Sequence, residues 1–314
     1  MRGRGGRENL KVDLLAQVGS LFFKSPVMTA SGTSGHSSEL SAYFDLSSIG
    51  GVVVKSLSAE SWAGNPAPRV HETDGGMLNS VGLQNPGVDV WLTDELPELV
   101  ATGATVVASV WGSTVGDYER AASMLAEAPE AVVAVEVNLS CPNLEGGRHL
   151  FAHSTTATAE AVAATAVCGR PRWAKLSPNA TDIVEIAAAA LDAGAEALTL
   201  VNTVRGMAID PETRRPRLGA GAGGLSGPAI RPVAVRAIHE CRAAFPEASI
   251  VGVGGVATGA HAVELLLAGA DAVQVGTATF ADPRAPARVQ QELARWCSAH
   301  GVGRCADLIG RAHG

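Results

Sequence analysis

Aromatic residues make up only 4% of this 314-residue chain. The core is therefore left to small aliphatic side chains, and the abundance of Ala, Val and Gly suits helices packed closely on strands in an α/β layer. Basic charge is also short: 24 Lys and Arg against 31 Asp and Glu give a formal net charge of -7. No broad basic field results, which argues against nucleic acid as a partner. The five cysteines (Cys141, Cys168, Cys241, Cys297, Cys305) contain no CxxC pair, and an odd number cannot close a full disulfide framework. A reducing cytoplasm is the expected home. No run approaches the roughly eighteen uncharged apolar residues of a membrane span. The start, MRGRGGREN, lacks the apolar segment of a signal peptide. Neither secretion nor membrane spanning is expected. Residues 1–10 read as a disordered tail. No short internal repeat or low-complexity segment divides the rest of the chain, so residues 11–314 read as one domain, and its 46% apolar content is enough for a large core.

What is present is an alternation of apolar runs and helical periodicities. A loose alternation over 11–23 around Gly19 and Ser20 predicts a short hairpin that plugs one end of the fold. Strands are predicted at 26–30, 49–54, 104–110, 131–138, 172–176, 196–202, 249–253 and 272–276. Helices are predicted at 37–46, 87–102, 114–127, 155–168, 179–193, 229–243, 257–269 and 284–300. Eight continuous apolar strands with helical crossovers fit a (β/α)8 barrel, since parallel strands are covered on both faces and right-handed crossovers leave few other topologies. A doubly wound open sheet is the alternative. Two long connections, 57–86 and 206–228, are rich in Gly, Pro and Asn or Arg and show no evident periodic structure. Connections of that length are more often functional than idle.

If the barrel holds, its strand ends bring together Ser31, Lys55, Ser109, Asn138, Lys175, Asn202, Gly254, Gly255, Gly276 and Thr277. One such residue alone reads as an ordinary loop residue, but polar ends recurring around a ring read as a site. The turns VGVGGVATG and VQVGTATF follow the last two strands, the usual phosphate position of this barrel. Lys55 and Lys175 supply cations for a phosphorylated ligand. A flavin fits them, as do a Schiff-base lysine and a plain anion clamp. Asn79, Asn138, Asn143 and Asn202 add amides that both donate and accept, which suits an imide-like or carboxamide edge. Cys141 follows a strand end in VVAVEVNLSCPNLEGGR. By residue type it is a small apolar packer, but its position also suits a nucleophile or proton acceptor. A metal centre is not expected, because no second Cys or His stands at ligand spacing, and His149 and His153 show no partner pattern.

Several segments together resemble the dihydroorotate dehydrogenases: PVMTASGTSG, VVVKS, GNPAPRV with GGMLNSVGLQNPG, EVNLSCPN, AKLSPNATDI, LTLVNTVRGMAID, GGLSGPA, VGVGGV and VGTATF, which span 26–280. The pairing of NLSCPN with NSVGLQNPG is the most specific of these. Class 2 members carry serine where this chain has Cys141, together with an N-terminal membrane-associating extension, so the resemblance is to class 1. LQNPG after NSVG is nearer to class 1B than to the fumarate-using class 1A. The resemblance implies an FMN-dependent oxidation of dihydroorotate to orotate in pyrimidine synthesis. It implies FMN contacts at Ser31, Lys55, Ser56, Asn138, Lys175, Val201, Gly227, Gly254, Gly255, Gly276 and Thr277. Substrate contacts are implied at Lys55, Asn79, Val81, Gly82, Leu83, Asn138, Asn143, Asn202 and Thr203. Cys141 matches the catalytic base, taking the C5 proton while hydride leaves C6 for flavin N5, and Lys55 joins it in the catalytic set. A homodimer core and a second subunit carrying FAD and an iron–sulfur cluster, passing electrons to NAD, are implied as partners.

Two departures stand out. Ser109 occupies a position where the family usually has a flavin-contacting asparagine, and the loop NLEGGRHLFAHS differs from the family pattern. Together they keep open a related flavoenzyme acting on another dihydropyrimidine or a specialised metabolite. A phosphate-binding barrel without flavin and a non-catalytic barrel are the readings from other classes. For the base, Cys141→Ala is expected to leave FMN bound and to slow flavin reduction at least about a hundredfold, within the usual range for general acid–base catalysis. Stopped-flow absorbance measures this, and an unchanged rate removes Cys141 from the mechanism.

Overall fold

A computed structural model describes residues 11–140 and 151–314. The expected tail at 1–10, together with Cys141, Asn143, Arg148 and His149, lies outside the described residues. Strands β1 (Ala16–Val18) and β2 (Leu21–Phe23) form the expected antiparallel hairpin, turning at Gly19 and Ser20. β3 (Val27–Thr29) and β4 (Val52–Val53) begin the barrel, and β5 (Val70–Thr73) and β6 (Gly76–Asn79) form a second hairpin. β7 (Val106–Val110), β8 (Val132–Asn138), β9 (Arg172–Lys175) and β10 (Ala197–Leu200) continue the barrel. β11 (Val204–Gly206), β12 (Ile209–Asp210), β13 (Arg215–Pro216) and β14 (Gly223–Ser226) form an excursion. β15 (Ser249–Val253) and β16 (Ala272–Val275) complete the set.

Eight of these strands make one parallel sheet in the order β3-β16-β15-β10-β9-β8-β7-β4. A parallel bridge between Met28 and Gly51 joins its two edges, with Thr29 N donating to Gly51 O at 3.1 Å and Gly50 N to Val27 O at 2.8 Å. The sheet is thereby closed into the expected (β/α)8 barrel. Its main crossover helices include Val115–Met124, Thr155–Ala164, Ile183–Asp192, Arg231–Ala244, Gly259–Ala268 and Ala285–Ala299. Their short side chains let them lie directly on the strands, as with Ala234, Ala237 and Ala262, each almost fully buried.

Strand periodicity sorts the barrel interior into layers, because every second residue points inward. The lowest layer takes one apolar residue from each barrel strand, including Met28, Val53, Val107, Trp173 and Val251. The hairpin seals it from below with Val18 and Phe23, and the Phe23 ring meets Trp173 edge-on at 5.8 Å. Two positions further along the same strands the interior turns polar: Ser109, Glu136, Lys175, Thr199 and Gln274 are all buried. Two positions further again stand Asn138, Val201, Gly255 and Gly276, at the mouth.

Two expectations need correction. The helix predicted at 37–46 is two short 3-10 turns, Glu39–Ala42 and Leu46–Ser48. Local side chains compete for the backbone there: Glu39 accepts from the amides of His36 and Ser37, and Asp45 accepts from Ser47 N. The two connections without evident periodic structure contain strands, and β11-β14-β6-β5 form a four-stranded antiparallel sheet over the barrel mouth. None of these four strands exceeds four residues, and most of their residues are only partly buried. They therefore carry little hydrophobic alternation.

Phe23 is 2% exposed, so Phe23→Ala is expected to destabilise the protein by about 3 kcal/mol through lost burial and the cavity left against Trp173. Urea unfolding measures this, and a loss under about 1 kcal/mol would mean that the hairpin does not seal the barrel.

Candidate active site

The barrel mouth holds a cavity of about 280 Å³ at the C-terminal ends of the strands, where this architecture places its chemistry. All the expected cofactor contacts line it: Ser31, Lys55, Ser56, Asn138, Lys175 and Val201, with Gly227, Gly254, Gly255, Gly276 and Thr277 on the glycine-rich side. The expected substrate contacts Asn79, Val81, Gly82, Leu83, Asn202 and Thr203 line it too. The remaining two expected site residues, Cys141 and Asn143, belong to the stretch that is not described.

The centre of the cavity wall is a relay of amides and hydroxyls. Asn138 ends β8, where its backbone carbonyl accepts from the Tyr118 hydroxyl at 2.7 Å. Its Nδ2 donates to Ser56 Oγ at 3.2 Å, and its Oδ1 accepts from Asn202 Nδ2 at 3.0 Å and from Ser140 N at 3.2 Å. Asn202 Oδ1 in turn accepts from Thr203 N at 2.8 Å. These bonds orient both carboxamides, leaving their polar edges as a fixed pattern on the wall. Ser109 is fully buried and shares a 2.8 Å hydrogen bond with Ser56 Oγ. It reaches the cavity only through that serine, so the expected difference in cofactor contact becomes support for a residue that does line the cavity. Asn79 ends β6 in the roof sheet, with Nδ2 donating to Gly224 O at 3.4 Å.

Two lysines differ in their surroundings. Lys175 is 4% exposed; its Nζ donates to Ser31 Oγ at 3.1 Å and lies 3.2 Å from Glu136 Oε1. Lys55 follows β4, and burial, reinforced by the Arg69 guanidinium, pushes its pKa below the ordinary lysine range. Burial also pushes neighbouring His36 down to about 4, with Lys55 adding to the effect. His36 is therefore neutral at neutral pH, and Lys55 and Arg69 carry the positive charge on that side.

The opposite rim is built for close approach. Gly254 and Gly255 have φ values of 134° and 71°. A Cβ on them would stand 2.8 Å from the Ala234 side chain and 2.6 Å from that of Arg231, so only glycine fits. Thr277 Oγ1 donates to Ser226 Oγ at 2.8 Å and ties this rim to the roof sheet. The helix after Gly255 takes no part in the cradle: Gly259 N donates to Glu292 Oε2 at 2.7 Å and His261 N to Thr258 Oγ1 at 3.3 Å. Such a rim beside a buried cation and a wall of amides fits a flavin phosphate. Among the described residues no cluster of three or more His, Cys, Asp or Glu could hold a metal ion. No helix among them is long and apolar enough to cross a membrane.

Sequence reasoning missed the polar layer beneath the cavity, above all Glu136 and Gln274. Its signal was present as one carboxylate and one carboxamide at the middle inward positions of AVEVN and AVQV. The roof residues Val70 and Met77, the Ser226 hydroxyl and Phe280 also line the cavity without having been expected.

Comparison with known proteins bears on this geometry. The family model described as dihydroorotate dehydrogenase matches residues 13–296. The dihydroorotate dehydrogenase B (NAD(+)) catalytic subunit of Pelobacter propionicus is 44% identical over 302 residues, covering 96% of this chain and 99% of that protein. Its counterpart in Trichlorobacter lovleyi is 45% identical over 306 residues, covering 97% and 100%. A relative in Solibacter usitatus, 45% identical over 298 residues and covering 95% and 97%, carries a name of the fumarate-linked A type.

Because its pKa is lowered, the Lys55 ammonium loses charge at lower pH than an ordinary lysine, whose pKa is about 10.4. Binding of a pyrimidine carboxylate is expected to weaken as pH rises, beginning below that range. Lys55→Met is expected to reduce affinity roughly tenfold or more, as for a lost hydrogen bond to a charged group, and to abolish the pH slope. Equilibrium titrations across pH test this, and an unchanged slope in the variant assigns the pH dependence elsewhere.

Proposed function

The chain belongs to the dihydroorotate dehydrogenase family of flavin-dependent oxidoreductases, and from that membership we propose that it oxidises (S)-dihydroorotate to orotate in pyrimidine synthesis, using FMN. The observation that carries the proposal is the single cavity in which Lys55, Asn79, Asn138, Lys175 and Asn202 meet the glycine turns. The cradle at Gly254 and Gly255, where a Cβ has no room, fits the FMN phosphate together with Gly227, Gly276 and Thr277. Ser31, Ser56, Asn138, Lys175 and Val201 hold the remainder of the cofactor, and Lys55 reaches both cofactor and substrate. Bound FMN supplies the acceptor for the hydride that leaves C6 of the substrate.

The chain's own residues perform the rest. Lys55 holds the substrate carboxylate, and its partial burial strengthens that attraction relative to water. Asn79, Asn138, Asn202 and Thr203 match the donors and acceptors of the substrate's imide edge, with Val81, Gly82 and Leu83 lining the same cavity, and Asn143 is assigned to that edge by its place in the NLSCPN motif alone. Because Asn138 and Asn202 are hydrogen-bonded to each other and to the backbone, the substrate meets amides that are already oriented, so little is lost to reorganisation on binding. Cys141 takes the C5 proton, a role resting on its place in the NLSCPN motif. A thiol with an ordinary pKa of about 8.5 suits a base near neutral pH.

The relatives named as NAD(+)-type catalytic subunits support a partner for this chain as well. In this reading, a homodimer core in the cytoplasm passes electrons to a subunit carrying FAD and an iron–sulfur cluster. Oxidation of another dihydropyrimidine is the second reading, favoured by Ser109, which binds Ser56 instead of lining the cavity. An anaerobic absorbance spectrum separates the two. FMN is expected in the purified protein, with its visible band bleaching on addition of dihydroorotate and persisting with dihydrouracil. A colourless protein that releases no flavin on denaturation would falsify the flavin assignment, and bleaching by dihydrouracil alone would transfer the substrate assignment to the second reading.

A further inference from the structure

Strand β8 carries a carboxylate where the fold tolerates one least. Glu136 is 0% exposed and sits one inward position below Asn138, outside the cavity lining. Neither the proton transfer nor the ligand contacts of the proposed reaction make use of it. An ionised carboxylate survives in a dry interior only when it is paired and hydrogen-bonded, and two residues from other strands meet both needs. Lys175 Nζ donates to Glu136 Oε1 at 3.2 Å, and Gln274 Nε2 donates to Glu136 Oε2 at 2.8 Å. Gln274 Oε1 closes the triangle by accepting from Lys175 Nζ at 3.5 Å. Stability alone does not account for such an arrangement, since apolar residues of similar volume often replace a buried ion pair at no loss.

The geometry of the lysine shows what the triangle accomplishes. An ammonium has three hydrogens to donate. Two go to Glu136 and Gln274, both beneath the cavity, and the third goes to Ser31 Oγ at 3.1 Å, a residue of the cavity wall. Lys175 is therefore anchored from below, and the hydrogen at Ser31 is the one a ligand can claim. The same anchor has an electrostatic effect. A negative charge next to the ammonium, in a low-dielectric layer, cancels much of the positive potential that reaches the cavity.

We propose that Glu136 is a positioning residue for the flavin: with Gln274 it fixes the Lys175 ammonium at the cavity floor and offsets its charge, so that a buried carboxylate sets the redox potential of the bound cofactor. The proposal rests on reading the cavity as a flavin site. Removing the carboxylate charge leaves the ammonium less opposed, and electrons added to the flavin are then held more tightly. The potential rises.

The test measures the midpoint potential of FMN in the holoprotein by equilibration with reference dyes, in wild type, Glu136→Gln and the double variant E136Q/Q274E. The single variant is expected to favour reduced over oxidised flavin about tenfold more than wild type, a rise of about 30 mV for a two-electron couple. The double variant moves the carboxylate to the other acceptor of the same ammonium, with the amide now donating in the reverse direction. Its potential is expected to return to within about threefold of wild type, equivalent to about 15 mV. A single variant whose potential is unchanged or lowered overturns the proposal, as does a double variant displaced as far as the single one. If Glu136→Gln alone does not fold, the double variant decides: a wild-type potential supports the proposal, and a tenfold displacement overturns it. Wild-type protein that binds no flavin overturns the flavin reading along with this inference, whereas flavin-loaded wild type with an insensitive Glu136→Gln overturns this inference alone.

Discussion

Inside a closed barrel of eight parallel strands, an inward side chain reaches water only at the ends, and a polar group between them must find its partner on another strand. The layering of the barrel interior obeys that constraint. The lowest layer meets it by being apolar, with the hairpin residues Val18 and Phe23 standing in for solvent. The middle one meets it by matching: a cation from β9, an anion from β8 and an amide from β16 satisfy one another across the barrel. Matching is incomplete, for Thr199 Oγ1 in this layer has no hydrogen-bond partner among the described residues, and neither has Trp173 Nε1 in the layer below. Only the uppermost layer opens on a cavity, and there the strand ends present groups to a ligand.

The same constraint explains why the site is rigid where it needs to be. Asn138 and Lys175 are strand residues, so the backbone ladder sets their positions, and Ser56 and Asn202 follow closely on strand ends. The ladder extends through side chains in the relay from Tyr118 through Asn138 to Asn202. Ser109 shows how a buried hydroxyl below the cavity serves it indirectly. It does not line the cavity, and it hydrogen-bonds Ser56, which does.

The barrel was legible because each of its strands is a largely apolar run with a polar or glycine residue at or shortly after its end, as in VVAVEVN and SIVGVG. Patterns of that kind depend on neighbours in the chain. The roof was not legible, because β6 owes its stability to β14, and Asn79 and Gly224 are 145 residues apart. Most of the cavity residues were found from strand ends and family motifs together. Glu136 and Gln274 escaped notice because each is a single polar residue within an apolar strand, and its meaning emerges only when the register brings three strands together. The segment 37–46 was misread for the opposite reason: its helical spacing of apolar residues was outweighed by side chains that cap and turn the backbone locally.

The roof sheet also governs how the molecule comes into being. Its first hairpin, β5 and β6, leaves the ribosome long before β14 is made, and a chain growing at about 5–20 residues per second spans those 145 residues in roughly 7–30 seconds. Through that interval the hairpin has no sheet to join, and a two-stranded ribbon is marginal by itself. Barrel closure comes later still, when β16 pairs with β3. The nascent protein therefore acquires its roof only once β14 is made and its closed wall only once β16 follows, and a chain stalled before β14 would display an unpaired strand edge to any neighbour.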